Sequence, residues 1–279
     1  PCAPKSGIPA LRRIIESVMT PIFHCRDEAQ LLSGMRQARQ TIGRGALVVL
    51  PTDTVYGIAA DAFSPRAVAK LLEAKGRTRQ APPPVLIASV NTLRALVQEV
   101  PEMVEALAEK FWPGALTIVL PAQQSLVWDL GETHGTVAVR MPANRYALEL
   151  LQETGPLAVS SANLTGQPAA VTVEQAHDML GERVAVYLDD GPSVMGLAST
   201  IIDATGLVGP EDERRPVRVL RDGAISRAEL RTVLGDLLER EPDTAPKPAP
   251  APAPNPETNT GTGTETNPET NPHPEDPEA

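Results

Sequence analysis

The stretch Ala46–Ala62, ALVVLPTDTVYGIAADA, begins as an apolar strand and changes to a polar turn at Pro51. Proline cannot donate to the hydrogen-bond ladder of a central strand, so the strand ends there. Thr52, Asp53 and Thr54 follow, and small hydroxyl and carboxylate groups at a strand end are typical of ligand sites in open sheets. Capping of backbone N–H groups in a turn explains the same residues, and this interpretation is favoured when the stretch is taken alone.

Around this stretch, short β-rich runs alternate with helical segments. Several strands follow one another too closely for helical crossovers, which predicts a sheet of mixed direction in a single α/β (α+β) domain. The predicted strands cover residues 46–50, 84–89, 116–121, 136–142, 157–162, 184–190, 199–204 and 217–221. The predicted helices cover residues 27–45, 64–76, 91–111, 144–155 and 172–180, the second opened by Ser64 and Pro65 and the last by Thr172.

Composition divides the chain into three parts. Residues 241–279 are rich in Pro, Thr, Glu and Asn and have no large apolar side chain, so we expect a disordered tail. This tail holds eight Asp or Glu residues and one Lys, so −7 of the formal charge of −10 lies there and −3 lies in residues 1–240. We expect residues 1–24 to be an N-terminal extension of uncertain order, and residues 25–240 to form the folded domain.

The composition also argues against several classes of protein. Aromatic residues make up 3% of the chain, which leaves few rings on which single-stranded bases could stack. Cys2 and Cys25 form neither a disulfide framework nor a metal-ligand pattern, and the four His residues lie far apart, so we expect no metal site. No apolar run approaches the roughly 18–20 residues of a membrane-spanning helix, and the first residues do not resemble a signal peptide. We expect a cytoplasmic protein with no membrane partner.

Further polar groups follow other predicted elements. Lys75 and Arg77 close the second predicted helix, and Arg79 follows them. Such cations are ordinarily solvated or complement the helix dipole, but three of them also suit a phosphate or a carboxylate. From the residues alone, the chain is an α/β binder of a nucleotide or another anion. The polar residues at the ends of other strands are Arg140, Ser160, Ser161, Asn163, Ser199 and Arg221.

Seven motifs occur in order: PTDTVYGIAADA, KGR with a following Pro-rich strand, FWPGALTIVL, TVAVRMP, SSANLTGQPA, STIID and VLRDGAIS. Over about residues 25–235 this set resembles the YrdC-like family of threonylcarbamoyl-AMP synthases. The resemblance implies a twisted, mostly antiparallel sheet around a concave basic cavity. It also implies the short form of the family, because longer members append a second globular domain where this chain has its acidic tail.

The activity that the resemblance implies is that of a nucleotidyltransferase. Members condense L-threonine, bicarbonate or CO2, and ATP into threonylcarbamoyl-AMP and pyrophosphate, with Mg²⁺ accompanying the nucleotide. The product feeds formation of N6-threonylcarbamoyladenosine at position 37 of tRNAs that read ANN codons. The implied partners are therefore the substrates and a downstream threonylcarbamoyl transferase complex, and a direct contact with tRNA is left open.

Motif positions carry the family's site roles onto this sequence. Thr54 would contact substrate threonine, with Asp53 and Thr52 beside it. Lys75 and Arg77, the K-x-R signature, would be the catalytic pair and would hold triphosphate and carboxylate oxygens. Threonine would bind Thr54, Arg140 and Ser161, and ATP would bind Arg77, Thr136, Ser160, Asn163, Ser199 and Arg221.

The loop after K-x-R departs from the family pattern. Many relatives carry an Asn before the Pro of this loop and a His on the next strand, whereas this chain has Ala81 and no His there. Arg79 or Gln80 is the expected substitute for those contacts.

Two other functions are known alternatives for a protein of this fold. A double-stranded RNA or tRNA binder of the same fold would need only spread-out Lys and Arg, without the hydroxyl and amide clusters. A carbamoyl-transferring relative fused into hydrogenase maturation factors would carry acylphosphatase and zinc-binding segments, which this sequence does not contain.

Overall fold

Ten strands form one sheet in residues 20–240, the part of the chain that the computed structural model describes. In chain order they are β1 (Ile22–His24), β2 (Val48–Leu50), β3 (Gly57–Asp61), β4 (Val85–Leu86), β5 (Leu116–Pro121), β6 (Thr136–Arg140), β7 (Leu157–Ser161), β8 (Val186–Asp189), β9 (Thr200–Asp203) and β10 (Arg218–Arg221). Across the sheet their order is β1-β8-β2-β3-β7-β4-β6-β5-β9-β10.

Neighbouring strands of the sheet pair in both directions. The pairs β2–β3, β3–β7, β4–β7, β5–β6 and β9–β10 are antiparallel. The pairs β1–β8, β2–β8, β4–β6 and β5–β9 are parallel. The predicted mixed sheet of an α/β domain is confirmed, and antiparallel pairs are a narrow majority within the described residues.

The strands β1 and β3 were not predicted from the sequence. β1 pairs with β8, so the folded domain begins at least three residues before the predicted boundary at residue 25. β3 has the sequence GIAAD, whose small residues have weak β propensity, and it is a strand because β2 and β7 pair with it on both sides. The rest of the predicted extension, residues 1–19, and the predicted tail, residues 241–279, lie outside the described residues.

Seven α-helices pack on the sheet in the described part of the chain. They are α1 (Glu28–Gly43), α2 (Pro65–Lys75), α3 (Val90–Leu96), α4 (Glu102–Phe111), α5 (Arg145–Thr154), α6 (Val173–Leu180) and α7 (Arg227–Leu234). The predicted helix starts at Ser64 and Thr172 are confirmed, since both residues are N-caps. The single helix predicted for residues 91–111 is wrong: it divides into α3 and α4 before Pro101, which has no N–H to continue a helix. None of the helices in residues 20–240 is long and apolar enough to cross a bilayer.

Alternate residues of the central strands face two different cores. Val49 and Ile58 face the larger core, which is completed by side chains from α2, α3, α4, α6 and α7. Val48 and Ala59 face a smaller core, which is completed by α1 and α5. On that second face Leu86 borders the smaller core and also lines an open cavity. The sheet therefore forms the floor of the candidate site.

Candidate active site

A cavity of about 240 Å³ opens above the central strands. Its walls come from the turn after β2, the loop after α2 and the ends of β6, β7 and β10. Within residues 20–240, the lining contains no Asp, Glu, His, Cys or Lys. The cavity brings together the predicted site residues Thr54, Arg77, Arg140, Ser160, Ser161, Ser199 and Arg221.

Thr54 belongs to a directed chain of hydrogen bonds at one side of the cavity. The Arg140 guanidinium can only donate, and its Nη1 donates to Thr54 Oγ1 over 2.8 Å. Thr52 Oγ1 donates its single hydrogen to the Val55 carbonyl, 2.5 Å away, so Thr54 is the donor in the 3.0 Å contact between the two hydroxyls. One lone pair of Thr54 Oγ1 is then left for a ligand N–H or O–H.

The charge of Arg140 is compensated inside the protein. Its Nη2 donates to Asp53 Oδ1 over 2.7 Å, and its Nε donates to the Gly114 carbonyl over 2.8 Å. The two paired side chains are 7% and 9% exposed, and the Ala143 amide donates to the same carboxylate oxygen over 2.9 Å. Burial lowers the pKa of Arg140, and the charge of Asp53 opposes that effect. Because protein groups occupy three of its five donors, Arg140 has limited capacity for a ligand carboxylate.

Arg77 and Arg221 face the cavity with no carboxylate partner in residues 20–240. Arg77 Nη1 donates to Ser160 Oγ over 3.2 Å. Arg221 donates to the Ser199 carbonyl through Nε at 3.0 Å and Nη2 at 2.7 Å, and to Ser199 Oγ at 2.9 Å. Both guanidinium groups keep further donors and an uncompensated charge.

The electrostatics of this arrangement favour an anionic ligand. Loss of solvent lowers the pKa of Arg77. Loss of solvent also lowers the pKa of Arg221. The positive charges of Arg140 and, to a smaller extent, Arg77 lower it further. Arginine stays protonated in proteins, so a lowered pKa means that the charged state is disfavoured by burial and mutual repulsion. A bound phosphate or carboxylate would relieve both effects.

Lys75 and Asn163, two of the predicted ligand residues, do not line the cavity. Lys75 is 2% exposed, and its Nζ donates to the Ser161 carbonyl and, over 2.6 Å, to the Asn163 carbonyl. The interpretation of Lys75 as a solvated cation at a helix end is therefore wrong. Its ammonium group is buried against the turn that follows β7.

Thr136 also lies away from the cavity lining. Its Oγ1 donates to the Thr133 carbonyl over 2.8 Å, at the opposite end of β6 from Arg140. Thr136, Ala138 and Arg140 share one face of the strand, and the cavity is lined by Ala138 and Arg140 but not by Thr136. A contact between Thr136 and ATP stays a prediction.

The loop after K-x-R reaches the cavity through residues other than those expected. Arg79 forms a two-bond, exposed ion pair with Asp129, at 3.0 and 2.7 Å. Neither Arg79 nor Gln80 lines the cavity, whereas Ala81 and Pro82 do. A contact between Arg79 or Gln80 and the substrates therefore stays a prediction.

Thr117 is a cavity residue that the sequence analysis did not single out. Its Oγ1 lies 2.8 Å from Ser199 Oγ, and the residue is 1% exposed. Its neighbours Leu116 and Ile118 face the larger core, so the alternation of β5 turns Thr117 toward the cavity. A hydroxyl between two core residues of the FWPGALTIVL motif was the available signal.

The side chains present do not fit a resident divalent cation. The cavity offers hydroxyl and guanidinium groups, whereas Mg²⁺ prefers carboxylate oxygens. Elsewhere in residues 20–240 there is no group of three or more His, Cys, Asp or Glu side chains suited to a metal ion.

Comparisons with known proteins agree on one family. The Sua5, YciO and YrdC family model, described as "Telomere recombination", matches residues 40–223. A Mycobacterium tuberculosis protein provisionally named a threonylcarbamoyl-AMP synthase is 50% identical over 78% of this chain and 96% of its own length. The threonylcarbamoyl-AMP synthase of Pyrococcus abyssi is 37% identical over 78% of this chain and 62% of its own length. The crystal structure of P. abyssi Sua5 complexed with L-threonine is 35% identical, with a TM-score of 0.69, over 78% of this chain and 61% of that one.

Proposed function

The chain belongs to the Sua5, YciO and YrdC family of threonylcarbamoyl-AMP synthases, and from this premise we propose its reaction and its substrates. It condenses L-threonine, bicarbonate or CO2, and ATP into threonylcarbamoyl-AMP and pyrophosphate. The observation that carries this proposal is the cavity itself, in which uncompensated guanidinium groups lie among hydroxyls and to which residues 20–240 contribute no acidic side chain.

In this proposal Arg77 and Arg221 hold the phosphates of ATP. Both are fork-shaped donors with free N–H groups, and such groups bind phosphate oxygens in a fixed orientation. Ser160 and Ser199, each hydrogen-bonded to one of these arginines, fix the two guanidinium groups from the cavity side. This arrangement supports a polyanionic substrate. The linked phosphates of one such molecule can neutralise both positive charges, which otherwise repel each other.

Threonine in this proposal lies beside Thr54. The directed hydrogen bonds from Arg140 to Thr54 and from Thr54 to Thr52 leave the Thr54 oxygen as an acceptor toward the ligand. The amine and the hydroxyl of threonine are donors, so either one matches this lone pair without breaking a protein hydrogen bond. Arg140 then acts mainly by orienting Thr54, and its two remaining N–H donors are available to the substrate carboxylate.

The reaction needs no covalent protein nucleophile. The neutral amine of threonine adds to CO2, releases one proton and forms a carbamate. A carbamate oxygen then attacks the α-phosphorus of ATP, and the bond between this phosphorus and the pyrophosphate oxygen breaks. The described part of the chain places no Asp, Glu, His, Cys or Lys in the cavity lining, so we assign the amine proton to solvent. The protein contributes positioning and stabilisation of charge on the phosphoryl group.

Mg²⁺ would enter bound to the nucleotide rather than occupy a site in the free protein. The phosphate oxygens of ATP are the hard oxygen ligands that this ion prefers, and residues 20–240 bring no carboxylate into the cavity lining to form a resident site. Threonylcarbamoyl-AMP would then pass to a threonylcarbamoyl transferase complex that modifies adenosine 37 of tRNAs reading ANN codons, whether or not this chain contacts tRNA itself.

The double-stranded RNA alternative would require an exposed basic surface that follows a backbone of phosphates. The candidate site differs from such a surface, because Arg140 is 6% exposed and Ser160 is 8% exposed within a cavity. This geometry supports a small anionic ligand over a duplex.

A direct assay separates these functions. The purified full chain is incubated with ATP, Mg²⁺, bicarbonate and L-threonine, and the products are identified by mass spectrometry. We expect threonylcarbamoyl-AMP and pyrophosphate, and neither when bicarbonate is removed from the reaction. Absence of the adduct together with tight binding of duplex RNA would favour the alternative.

Replacement of Thr54 by Val is expected to weaken threonine binding by about 1–3 kcal/mol. Valine keeps the side-chain shape but removes the oxygen that accepts from Arg140 and faces the ligand. Steady-state titrations of threonine and ATP, each at a saturating concentration of the other, provide the measurement. Thr54→Ser keeps the hydroxyl and should stay close to the wild-type protein. If Thr54→Val changes the dependence of the rate on ATP and not on threonine, Thr54 lies in the ATP half of the pocket and the assignment of the two halves is reversed.

A further inference from the structure

The ammonium group of Lys75 is fully engaged with the turn after β7. It donates to the Ser161 carbonyl, to the Asn163 carbonyl at 2.6 Å and, more weakly, to Asn163 Oδ1 at 3.4 Å. An ammonium group has three donors, so these three oxygens match its capacity. Lys75 therefore makes its contacts with protein oxygens that carry no formal charge.

Asn163 is engaged in the same turn. Its Nδ2 donates to the Leu164 carbonyl at 2.9 Å and to the Gln167 carbonyl at 2.7 Å, while its Oδ1 accepts from Lys75. Asn163 is 8% exposed and does not line the cavity. Both donors of its amide are thus used to hold the turn.

Lys75 also connects this turn to α2 through its backbone. The Thr165 amide donates to the Lys75 carbonyl over 2.9 Å. Gly76 follows in the left-handed conformation, with φ of 64°, and ends the helix. This change of direction sends Lys75 to the back of the turn and Arg77 to the cavity, where Arg77 contacts Ser160. The two cations of the K-x-R motif therefore have different roles: Lys75 holds the turn after β7, and Arg77 faces the cavity.

The same division holds for the S-x-N motif. Ser161 lines the cavity, whereas Asn163 lies behind it in contact with Lys75. In each motif one residue lines the cavity, Arg77 or Ser161, and the residue two positions away, Lys75 or Asn163, does not. Lys75 and Asn163 thus form one internal clamp between the end of α2 and the turn after β7.

We propose that Lys75 and Asn163 are positioning residues of the adenylation reaction, which hold Arg77, Ser160 and Ser161 in place and do not contact the substrates. This proposal rests on the proposed function and assigns a new role within its site. For Lys75 to bind a phosphate instead, its ammonium would have to leave the buried Asn163 carbonyl without its donor, which proteins avoid. The clamp costs nothing at the moment of binding because it is complete before the ligand arrives.

The titration of Lys75 provides an additional readout. Burial and, to a smaller extent, the charge of Arg77 lower its pKa from 10.5 to about 8. The oxygens that face it on the turn carry no formal charge, so no carboxylate offsets these two effects. Above pH about 8 the neutral amine has two donors for three acceptors, and the clamp loosens.

This titration has opposite effects on stability and on binding. Between pH about 8 and 10.5 the unfolded chain keeps the Lys75 proton and the folded chain has lost it. The contribution of Lys75 to the free energy of unfolding therefore rises with pH in this window. Binding of both substrates is expected to weaken in the same window, and Lys75→Met should lack both changes.

The central experiment compares two ligands in matched variants of the full chain. ATP with Mg²⁺ and L-threonine are titrated separately by calorimetry against wild type, Lys75→Met and Arg77→Met. A loosened clamp displaces both halves of the pocket, so Lys75→Met should weaken ATP and threonine by similar factors, on the order of 10- to 100-fold. Arg77→Met should weaken ATP more than threonine. Lys70→Met is the control, because Lys70 lies on the same helix and donates to the Gly45 carbonyl on the exterior.

A loss in Lys75→Met that is confined to one ligand would identify Lys75 as a direct contact and overturn the proposal, as would unchanged binding of both. Should Lys75→Met fail to fold, Asn163→Ala carries the same comparison. Hydrogen exchange of the ligand-free protein tests the clamp independently of activity: in Lys75→Met the Thr165 amide should exchange faster than in Lys70→Met, and equal protection contradicts the clamp. Wild-type protein that binds neither ligand would instead refute the proposed function.

Discussion

Arg77→Met is expected to lower the rate of threonylcarbamoyl-AMP formation by about 10²–10³-fold, the loss typical for removal of one preorganised donor to a developing charge. Arg77 points into the cavity and has no carboxylate partner among the described residues, so its remaining donors are available to a phosphate. The measurement is the initial rate of adduct formation by mass spectrometry at saturating ATP, Mg²⁺, bicarbonate and threonine.

The loss of activity in Arg77→Met should come without a loss of stability. Burial lowers the pKa of Arg77, which means that its charged form is disfavoured in the folded state, and the nearby Arg221 adds repulsion. The urea midpoint of Arg77→Met should therefore equal or exceed that of wild type. Arg66→Met is the control, because Arg66 is an exposed arginine on α2, the helix that ends just before Arg77, and this variant should keep full activity. Equal rates in Arg77→Met and Arg66→Met would exclude Arg77 from the site.

Asp53→Ala is expected to lower the free energy of unfolding by about 3–5 kcal/mol, because it leaves the guanidinium of Arg140 buried without its counter-charge. The paired side chains are 7% and 9% exposed, so water cannot replace the lost carboxylate. The Ala143 amide loses its acceptor at the same time. Such a loss is a large part of the 5–15 kcal/mol by which most domains are stable, and urea unfolding measures it.

Two further variants distinguish this effect from a general sensitivity to lost ion pairs. Glu105→Ala removes an exposed ion pair in which the Glu105 side chain is 45% exposed and the Arg94 side chain is 54% exposed. It should lower the free energy of unfolding by about 0–1 kcal/mol. The double variant Asp53→Ala with Arg140→Met removes both buried charges and should recover much of the stability that Asp53→Ala alone loses. A single loss no larger than that of Glu105→Ala would contradict the buried pair.

Local sequence signals predicted most of the secondary structure. All eight predicted strands are present. They are largely apolar runs bounded by Pro, Gly or polar residues, which mark the strand in the local sequence. Helix α7 was missed although its first turn carries a capping box of Ser226 and Glu229, a signal that can be read from sequence. The break at Pro101 was equally readable, since proline rarely continues a helix.

β1 and β3 required information from distant residues. β1 has three residues, Ile22–His24, and is a strand because β8, more than 160 positions later, pairs with it. β3 consists mainly of small residues whose conformation is set by the two flanking strands rather than by their own propensity. A short strand with weak propensity forms only where the sheet already offers partners on its edges.

Local sequence was enough to predict the mixed sheet, the strand ends where polar residues gather and the motifs that resemble one family, because all of these depend on neighbours along the chain. Which of those polar residues face the cavity depends instead on long-range contacts in the fold. Arg140 meets Asp53 across 87 positions, and Lys75 meets the Ser161 carbonyl across 86 positions. A side chain turns to the cavity or away from it according to the partners that satisfy its donors in the folded chain, and nothing in the local sequence of K-x-R reveals that its lysine has such partners while its arginine has donors to spare.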